Sequence, residues 1–229
     1  MPQAYLFDMD GLLLDTERVA LRSFLKAIEG RGVPLATAEP FFMTLVGTSV
    51  AHSNQMMDAF LPSSLDADQV RADWDRHFAA ELAQGVPLRP TVRETLATLA
   101  GQGARMAVVT STKGRNARAH LDHAGLLAHF DFVVGGDEVV ANKPDPAPYL
   151  KAAAEFGFDP QDCAAFEDSD KGIAAAMAAG CHAVQIPDLR PEGTALPKLG
   201  QMLAKDLAEA VTLAQASVAA GRRRDQEPA

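Results

Sequence analysis

The stretch Ala4-Tyr-Leu-Phe-Asp-Met-Asp-Gly11 joins a short apolar run to an acidic pair and a glycine. The apolar residues stop abruptly at Asp8, which is typical of a buried strand that ends in a loop. Gly11 permits a tight backbone path directly after the acidic pair. Asp8 and Asp10 are therefore candidate site residues at a strand end, although an acidic pair at such a place is also compatible with a solvated turn.

Similar apolar runs recur later in the chain, separated by helical patterns or by turns rich in glycine and proline. They are Arg105–Thr110, Phe130–Gly135, Cys163–Phe166 and His182–Ile186. Strands that alternate with helices predict a parallel sheet with helices on both faces. Such sheets bind ligands at the carboxyl ends of their strands, so the residues directly after each run are the ones to inspect for a site.

Between Asp15 and about Gln84 the pattern changes, because the apolar residues recur at helical spacing and no comparable strand appears. The stretch Gly85–Pro90 is rich in turn-forming residues and suits a hinge that returns the chain to the sheet. The predicted organisation is a sheet-containing core of residues 1–14 and 86–220, an inserted helical domain of residues 15–85 and a C-terminal tail of residues 221–229.

The run Arg105–Thr110 ends in a hydroxyl residue and is followed by Ser111, Thr112 and Lys113. Three hydroxyls and an amine thus lie together at the end of a predicted strand. Hydroxyls at such a place often cap the next helix, whose N-terminal amides also attract anions. Capping alone and anion binding are both open at this point.

A lysine lies in a proline-stiffened turn, Asn142-Lys143-Pro144-Asp145-Pro146. Its ammonium is a compact charge that suits phosphate oxygens, although a single loop lysine is usually only solvated. The run Cys163–Phe166 is followed by a second acidic cluster, Glu167-Asp168-Ser169, which is also compatible with a helix-capping sequence.

Together these segments predict one site. Carboxylates from two strand ends suit Mg²⁺, which prefers octahedral oxygen coordination. A hydroxyl, a lysine and a helix N-terminus supply the positioning and charge stabilisation that phosphoryl transfer requires, and a carboxylate is a competent nucleophile.

The sequence resembles the haloacid dehalogenase superfamily over nearly its whole length, in the branch of phosphoglycolate phosphatases, sugar-phosphate phosphatases and β-phosphoglucomutases. The four family motifs occur in order, as Asp8–Gly11, Thr110, Lys143 and Glu167–Ser169. The residues that follow the first motif, Leu12–Glu17, make the match specific. The resemblance implies a Rossmann-like, doubly wound α/β core with an α-helical cap inserted after the first motif.

The resemblance also implies a Mg²⁺-dependent phosphatase. Asp8 would be the nucleophile and a metal ligand; Asp10 would act as acid and base and would bind the metal through its backbone carbonyl. Asp168 would bind Mg²⁺, with Glu167 either a direct ligand or one that acts through water. The catalytic set is completed by Thr110 and Lys143. The expected phosphate-binding residues are Gly11, Thr110, Ser111, Lys143 and Ser169.

Several related functions compete with this interpretation. Asp10 favours phosphoryl transfer over dehalogenation, and the helical region has only Lys26 to form the Schiff base that phosphonate cleavage requires. A signalling receiver domain carries its phosphorylated aspartate on a separate, later strand of a shorter chain. The β-phosphoglucomutases have a cap histidine and a cap arginine where this chain has Ala20 and Val50, which favours a phosphatase over a mutase.

The formal net charge of -9 and the pI near 5.1 argue against nucleic-acid and anionic-membrane surfaces. Two cysteines, no signal-peptide pattern and no long apolar stretch indicate a reducing, cytoplasmic setting. We expect a small phosphorylated molecule as the partner, and the sequence identifies no protein partner. It specifies neither the substrate nor the oligomeric state. The cap residues that are candidates for substrate selection are Arg18, Arg22, Thr48, Ser49, His52 and Asn54.

Overall fold

The computed structural model describes residues 1–48 and 50–224. The chain forms two compact units. The first, which we call the sheet unit, comprises Met1–Leu14, Leu88–Asp188 and the chain from Leu196 onwards. The second, which we call the helical unit, comprises Asp15–Pro87 and Leu189–Ala195.

The sheet unit contains a six-stranded sheet in which all paired strands are parallel. The strands are β1 (Ala4–Phe7), β2 (Arg105–Val109), β3 (Phe132–Val134), β4 (Cys163–Glu167), β5 (His182–Gln185) and β6 (Met202–Leu203), in the order β3-β2-β1-β4-β5-β6. The doubly wound fold predicted from the alternating runs is confirmed. The chain order reverses at β1, so the crevice beside β1 is the expected ligand position.

Helices cover both faces of this sheet. They are α5 (Val92–Gly101), α6 (Gly114–His123), α7 (Ala147–Phe156), α8 (Asp170–Ala179) and α9 (Leu207–Arg224). Alternate residues of β1 point to opposite faces. Leu6 therefore belongs to the cluster that includes Tyr149 of α7 and Ile173 of α8, whereas the hydroxyl of Tyr5 meets Gln215 of α9.

Parts of the sheet unit differ from the sequence-based boundaries. β6 was not anticipated, because its two residues follow a turn-rich segment and form no apolar run. α9 continues through Arg224, past the predicted core boundary at residue 220, since arginine is a good helix former. Residues 225–229 of the expected tail lie outside the described residues. Cys163 and Cys181 are buried, free thiols.

The helical unit contains α1 (Thr16–Ile28), α2 (Leu35–Leu45), α3 (Val50–Phe60) and α4 (Ala67–Leu82). Their apolar faces form a cluster that includes Phe24, Phe42 and Met57. Asp66 caps α4 by accepting bonds from two backbone amides in its first turn. Leu189 packs against the same cluster, which explains why Leu189–Ala195 belongs to this unit although the sequence placed it in the core.

Among the described residues, no helix combines the length and the apolar character that crossing a bilayer requires.

Candidate active site

Three strands bring the first site residues to one edge of the sheet. Phe7 lies opposite Val108 of β2 and Phe166 of β4, so the residues that follow these positions are neighbours. The Asp8 amide donates to the Phe166 carbonyl at 3.0 Å. Asp8, Thr110 and Glu167 thus meet at the carboxyl edge of the sheet, next to the point where the strand order reverses.

Lys143 binds this edge from the loop before α7. Its ammonium donates to Asp8 Oδ1 at 2.6 Å, to the Val109 carbonyl at 2.8 Å and lies 2.6 Å from Glu167 Oε1. These three acceptors match the three hydrogens of an ammonium. Burial lowers the pKa of Lys143, but the attraction of Asp8 and Glu167 outweighs burial and leaves the pKa above that of an ordinary lysine.

Lys143 is therefore an internal counter-ion of the carboxylates. Its side chain is only 5% exposed. A contact with a phosphate oxygen requires one of its three hydrogen bonds to be shared or exchanged.

Glu167 is fully buried at the end of β4. Its Oε1 also accepts a hydrogen bond from the phenol of Tyr149. Burial, together with the charge of Asp8, raises the pKa of Glu167 to about 7 against the attraction of Lys143. Burial, together with the charges of Glu167 and Asp8, holds the pKa of Tyr149 well above its ordinary value, so the phenol remains a donor.

Asp8, Glu167 and Asp168 each offer an oxygen within 4.8 Å of the others. An all-carboxylate oxygen set of this size fits a hard cation such as Mg²⁺, which is usually held by one or two carboxylates and several waters. Two of these carboxylates, those of Asp8 and Glu167, share the ammonium of Lys143. The residues present thus fit the metal that the sequence predicts.

Two glycines make room for the carboxylates. A Cβ on Gly11 would overlap the carboxylate of Asp168, and Gly11 also has a φ of +81°, which L side chains rarely adopt. A Cβ on Gly172 would overlap the carboxylate of Glu167. The glycine in the first motif is thus required by close packing against a candidate ligand as well as by its backbone conformation.

Asp10 does not belong to the group Asp8, Glu167 and Asp168, whose carboxylate oxygens lie within 4.8 Å of one another. The hydroxyl of Thr112 donates to Asp10 Oδ2 at 2.7 Å. This arrangement suits a proton-transfer group better than a side-chain metal ligand. Ligation through the Asp10 carbonyl stays a prediction.

The hydroxyl residues have local roles as well. Thr110 is buried, and its Oγ1 accepts the Thr112 amide at 3.1 Å, which forms a turn before α6. Ser169 is the N-cap of α8 and accepts the Gly172 amide at 3.0 Å. Ser111 is exposed in the same turn as Thr110. Phosphate binding by these residues stays a prediction.

Sequence reasoning missed three contributors to the site. Tyr149 fits the apolar pattern of α7, and nothing in its spacing shows that its hydroxyl reaches Glu167. The sequence shows Thr112 as one of three hydroxyl residues in a row and does not indicate that its hydroxyl donates to Asp10. Gln185 is fully buried at the end of β5 and donates to Asp170 Oδ1 at 2.9 Å. In the sequence, a polar glutamine near the end of an apolar run was the signal that could have identified Gln185.

The candidates for substrate selection lie in the helical unit. Arg18 pairs with Asp15 at 2.8 Å and Arg22 pairs with Glu81 at 3.3 Å. Thr48 donates to the Leu45 carbonyl at 2.7 Å. His52 is exposed and Asn54 is half-buried, whereas Ser49 lies outside the described residues. The structure of this unit alone does not assign a substrate contact to any of them.

Comparison with known proteins gives a consistent family. Residues 5–186 match the model of the haloacid dehalogenase-like hydrolases. A phosphoglycolate phosphatase of Nitrosospira multiformis is 32% identical over 222 residues, which cover 94% of this chain and 96% of the relative. Protein CbbY of Rhodobacter capsulatus is 31% identical over 195 residues, which cover 81% of this chain and 85% of the relative.

A solved structure agrees with these relatives. The crystal structure of CbbY from Rhodobacter sphaeroides in complex with phosphate superposes with a TM-score of 0.69 and 28% sequence identity. The match covers 94% of this chain and 100% of that one.

Proposed function

The chain belongs to the haloacid dehalogenase-like hydrolase family, and we propose that it is a Mg²⁺-dependent phosphatase that hydrolyses a small phosphorylated metabolite through a phosphorylated Asp8. The substrate class that we propose is a sugar phosphate or a phosphoglycolate-like compound. The name of the Nitrosospira relative and the phosphate in the CbbY crystal structure support this class.

One observation carries the proposal. Asp8, Glu167 and Asp168 crowd together at the strand edge, Asp8 and Glu167 share the ammonium of Lys143, and Thr112 donates to the carboxylate of Asp10. Close packing of three carboxylates destabilises a fold through their repulsion and desolvation, so such a cluster is typical of a functional site. A nucleophile, an acid and base, and a cation site together match what phosphoryl transfer needs.

In the first proposed step, a carboxylate oxygen of Asp8 forms a bond to phosphorus while the bond from phosphorus to the substrate oxygen breaks. The leaving oxygen keeps the electron pair and takes a proton from Asp10. Thr112 fixes the direction of the Asp10 carboxylate for this transfer. Lys143 offsets the charge around Asp8 through its bond to Oδ1.

In the second step, Asp10 takes a proton from a water molecule whose oxygen bonds to phosphorus. The bond between phosphorus and Asp8 breaks, and its electron pair returns to the carboxylate. Inorganic phosphate leaves, and the proton on Asp10 is ready for the next turnover. The same residue thus serves as acid and then as base.

Asp8, Asp168 and Glu167 would hold Mg²⁺, with the Asp10 carbonyl as a further ligand. When bound, Mg²⁺ supplies positive charge that stabilises the phosphoryl oxygens and the crowded carboxylates.

The experiment is a screen of phosphorylated metabolites for release of inorganic phosphate, with Mg²⁺ and after exhaustive chelation. We expect release that depends on the cation. Full activity on an aryl phosphate after chelation would refute the metal requirement, and no hydrolysis of any substrate would refute the phosphatase.

The mutase alternative is tested with β-glucose 1-phosphate and a trace of the bisphosphate, followed by phosphorus NMR. A mutase must hold the distal phosphate and delay water, and the chain has Ala20 and Val50 where the mutases carry cap histidine and arginine. We therefore expect inorganic phosphate to form faster than glucose 6-phosphate. The reverse order would identify a mutase.

A further inference from the structure

Tyr149 is one of only two tyrosines in the chain, and none of the proposed reaction steps uses it. It lies on α7, fully buried beneath the site. Its hydroxyl donates to Glu167 Oε1, and its ring lies 5.3 Å from the Lys143 ammonium. It therefore contacts both partners of the ion pair at the centre of the site.

The two carboxylate oxygens of Glu167 have different hydrogen-bond donors. Oε1 receives two donors, the Tyr149 phenol and the Lys143 ammonium at 2.6 Å. Among the described residues, Oε2 receives a longer bond, from the Ser169 hydroxyl at 3.3 Å. Two donors on one oxygen fix the rotation of the carboxylate and leave the other oxygen for a ligand.

We propose that Tyr149 is a positioning residue that fixes the Glu167 carboxylate so that its Oε2 serves the Mg²⁺ site. The inference rests on the proposed function. Lys143 alone does not fix Glu167, because its ammonium also binds Asp8 and the Val109 carbonyl. The phenol is the second donor. It is held rigidly on α7, where Ala152 and Ala153 are also buried. Groups that orient a metal ligand from outside the ligand shell change metal affinity when they are removed.

Tyr149→Phe isolates the hydroxyl. The ring stays in place against Lys143, and Glu167 Oε1 keeps its bond to the ammonium. The matched control is Tyr5→Phe, which also removes a buried hydroxyl. Tyr5 is 1% exposed and accepts a bond from Gln215 at 3.0 Å on the other face of the sheet.

The primary measurement is the binding of Mn²⁺ to the full chain without substrate, from the electron paramagnetic resonance signal of the free ion. Mn²⁺ takes the same oxygen ligands as Mg²⁺. We expect Tyr149→Phe to weaken binding about 10-fold or more, within the range for such groups. Tyr5→Phe should bind as the wild type does.

Kinetics give the second measurement. Because Tyr149 acts through the cation site, kcat of Tyr149→Phe should recover toward the wild-type value as Mg²⁺ is raised, and KM for the phosphorylated substrate at saturating Mg²⁺ should stay unchanged. Thermal melting in chelator checks that the two variants lose similar stability.

The outcomes separate this inference from the proposed function. Equal Mn²⁺ affinity of Tyr149→Phe, Tyr5→Phe and wild type, in a wild type that hydrolyses phosphate esters with Mg²⁺, overturns the role of Tyr149 alone. A wild type that binds no Mn²⁺ and shows no cation-dependent hydrolysis overturns both.

Discussion

The sheet unit and the helical unit each bury a carboxylate beside a cation, yet the number of cations for each carboxylate differs. In the helical unit, Asp73 is 4% exposed and contacts Arg31, Arg76 and the amide of Gln69. One carboxylate with two guanidinium partners is a compensated structural pair. In the sheet unit, the carboxylates of Asp8 and Glu167 share one ammonium, that of Lys143, and the carboxylate of Asp168 lies close to both.

This difference separates a structural ion pair from a functional one. Burying a charge destabilises a fold unless the charge is paired, so a close group of carboxylates is typical of a place where a cation binds or a reaction occurs. In the helical unit, two arginines neutralise Asp73. In the sheet unit, Asp8 and Glu167 share one lysine, and the Mg²⁺ and the reaction that we propose would explain why these carboxylates lie so close together. The predictions below test this contrast.

The largest effect is expected for Asp8→Asn, because an amide has nearly the same shape as the carboxylate but is not a nucleophile. Turnover should fall at least about 1000-fold, which is roughly 4 kcal/mol of transition-state stabilisation. Initial rates of phosphate release measure it. Asp122→Asn, an exposed position on α6, is the matched control and should keep the wild-type rate. Residual turnover above that limit would contradict the nucleophile assignment.

The second-largest effect is expected for Lys143→Ala. Removing the ammonium leaves Asp8 and Glu167 buried without their common partner, and breaking a buried pair costs about 3–5 kcal/mol. We expect a lower melting temperature in chelator, partial recovery with Mg²⁺, slower turnover and weaker binding of inorganic phosphate. Lys151→Ala removes a lysine whose side chain is 37% exposed and serves as the control. Unchanged phosphate affinity would argue against a phosphate role for Lys143, and unchanged stability would argue against its role as counter-ion.

Gly11→Ala should weaken cation binding without removing a ligand. The added Cβ would displace the Asp168 carboxylate, and φ at this position is +81°. Gly157→Ala is the control, since its φ is +74° and no atom lies within 4 Å of the added Cβ. Both variants should lose about 1–2 kcal/mol of stability from the left-handed backbone. Only Gly11→Ala should need more Mg²⁺ for half-maximal rate; an equal requirement in both variants would contradict the close packing against Asp168.

The smallest effect concerns pH and the helical unit. The bond from Arg31 is the main reason that the pKa of Asp73 lies below its ordinary value. A lowered pKa in the folded state stabilises the protein above the unfolded pKa, near 4, and that contribution disappears as pH falls through the folded value. Asp73→Asn should therefore melt at a lower temperature than wild type at pH 7, and the difference should shrink below pH 4. A difference that does not change with pH would show that the Asp73 charge is unimportant.

The sheet and the carboxylate site were predictable from the sequence because both depend on local patterns. Apolar runs identify buried strands, and parallel strands bring their carboxyl ends together, so Asp8 and Asp168 had to lie near each other. The family motifs added Lys143. None of these inferences required knowing how a helix is rotated against the sheet.

The features that the sequence did not reveal depend on how a helix is rotated against the sheet, or on packing between residues far apart in the chain. The hydroxyl of Tyr149 reaches Glu167 only because α7 presents this face to β4, and an apolar helical pattern contains no such information. Leu189–Ala195 joins the helical unit through one apolar contact of Leu189. Two-residue β6 forms because β5 offers it an edge, and its own sequence does not favour a strand.

The central place of β1 has a consequence for synthesis. The strand that carries the proposed nucleophile is made well before its partners, because it pairs with Arg105–Val108 and Cys163–Phe166. At roughly 5–20 residues per second, β1 waits on the order of ten seconds for both partners. During that time it is an apolar segment with unpaired backbone groups, the kind of segment that aggregates. Its length of four residues, ended by the charge of Asp8, limits that risk, so the carboxylate that we propose as the nucleophile also acts as a gatekeeper while the chain is being made.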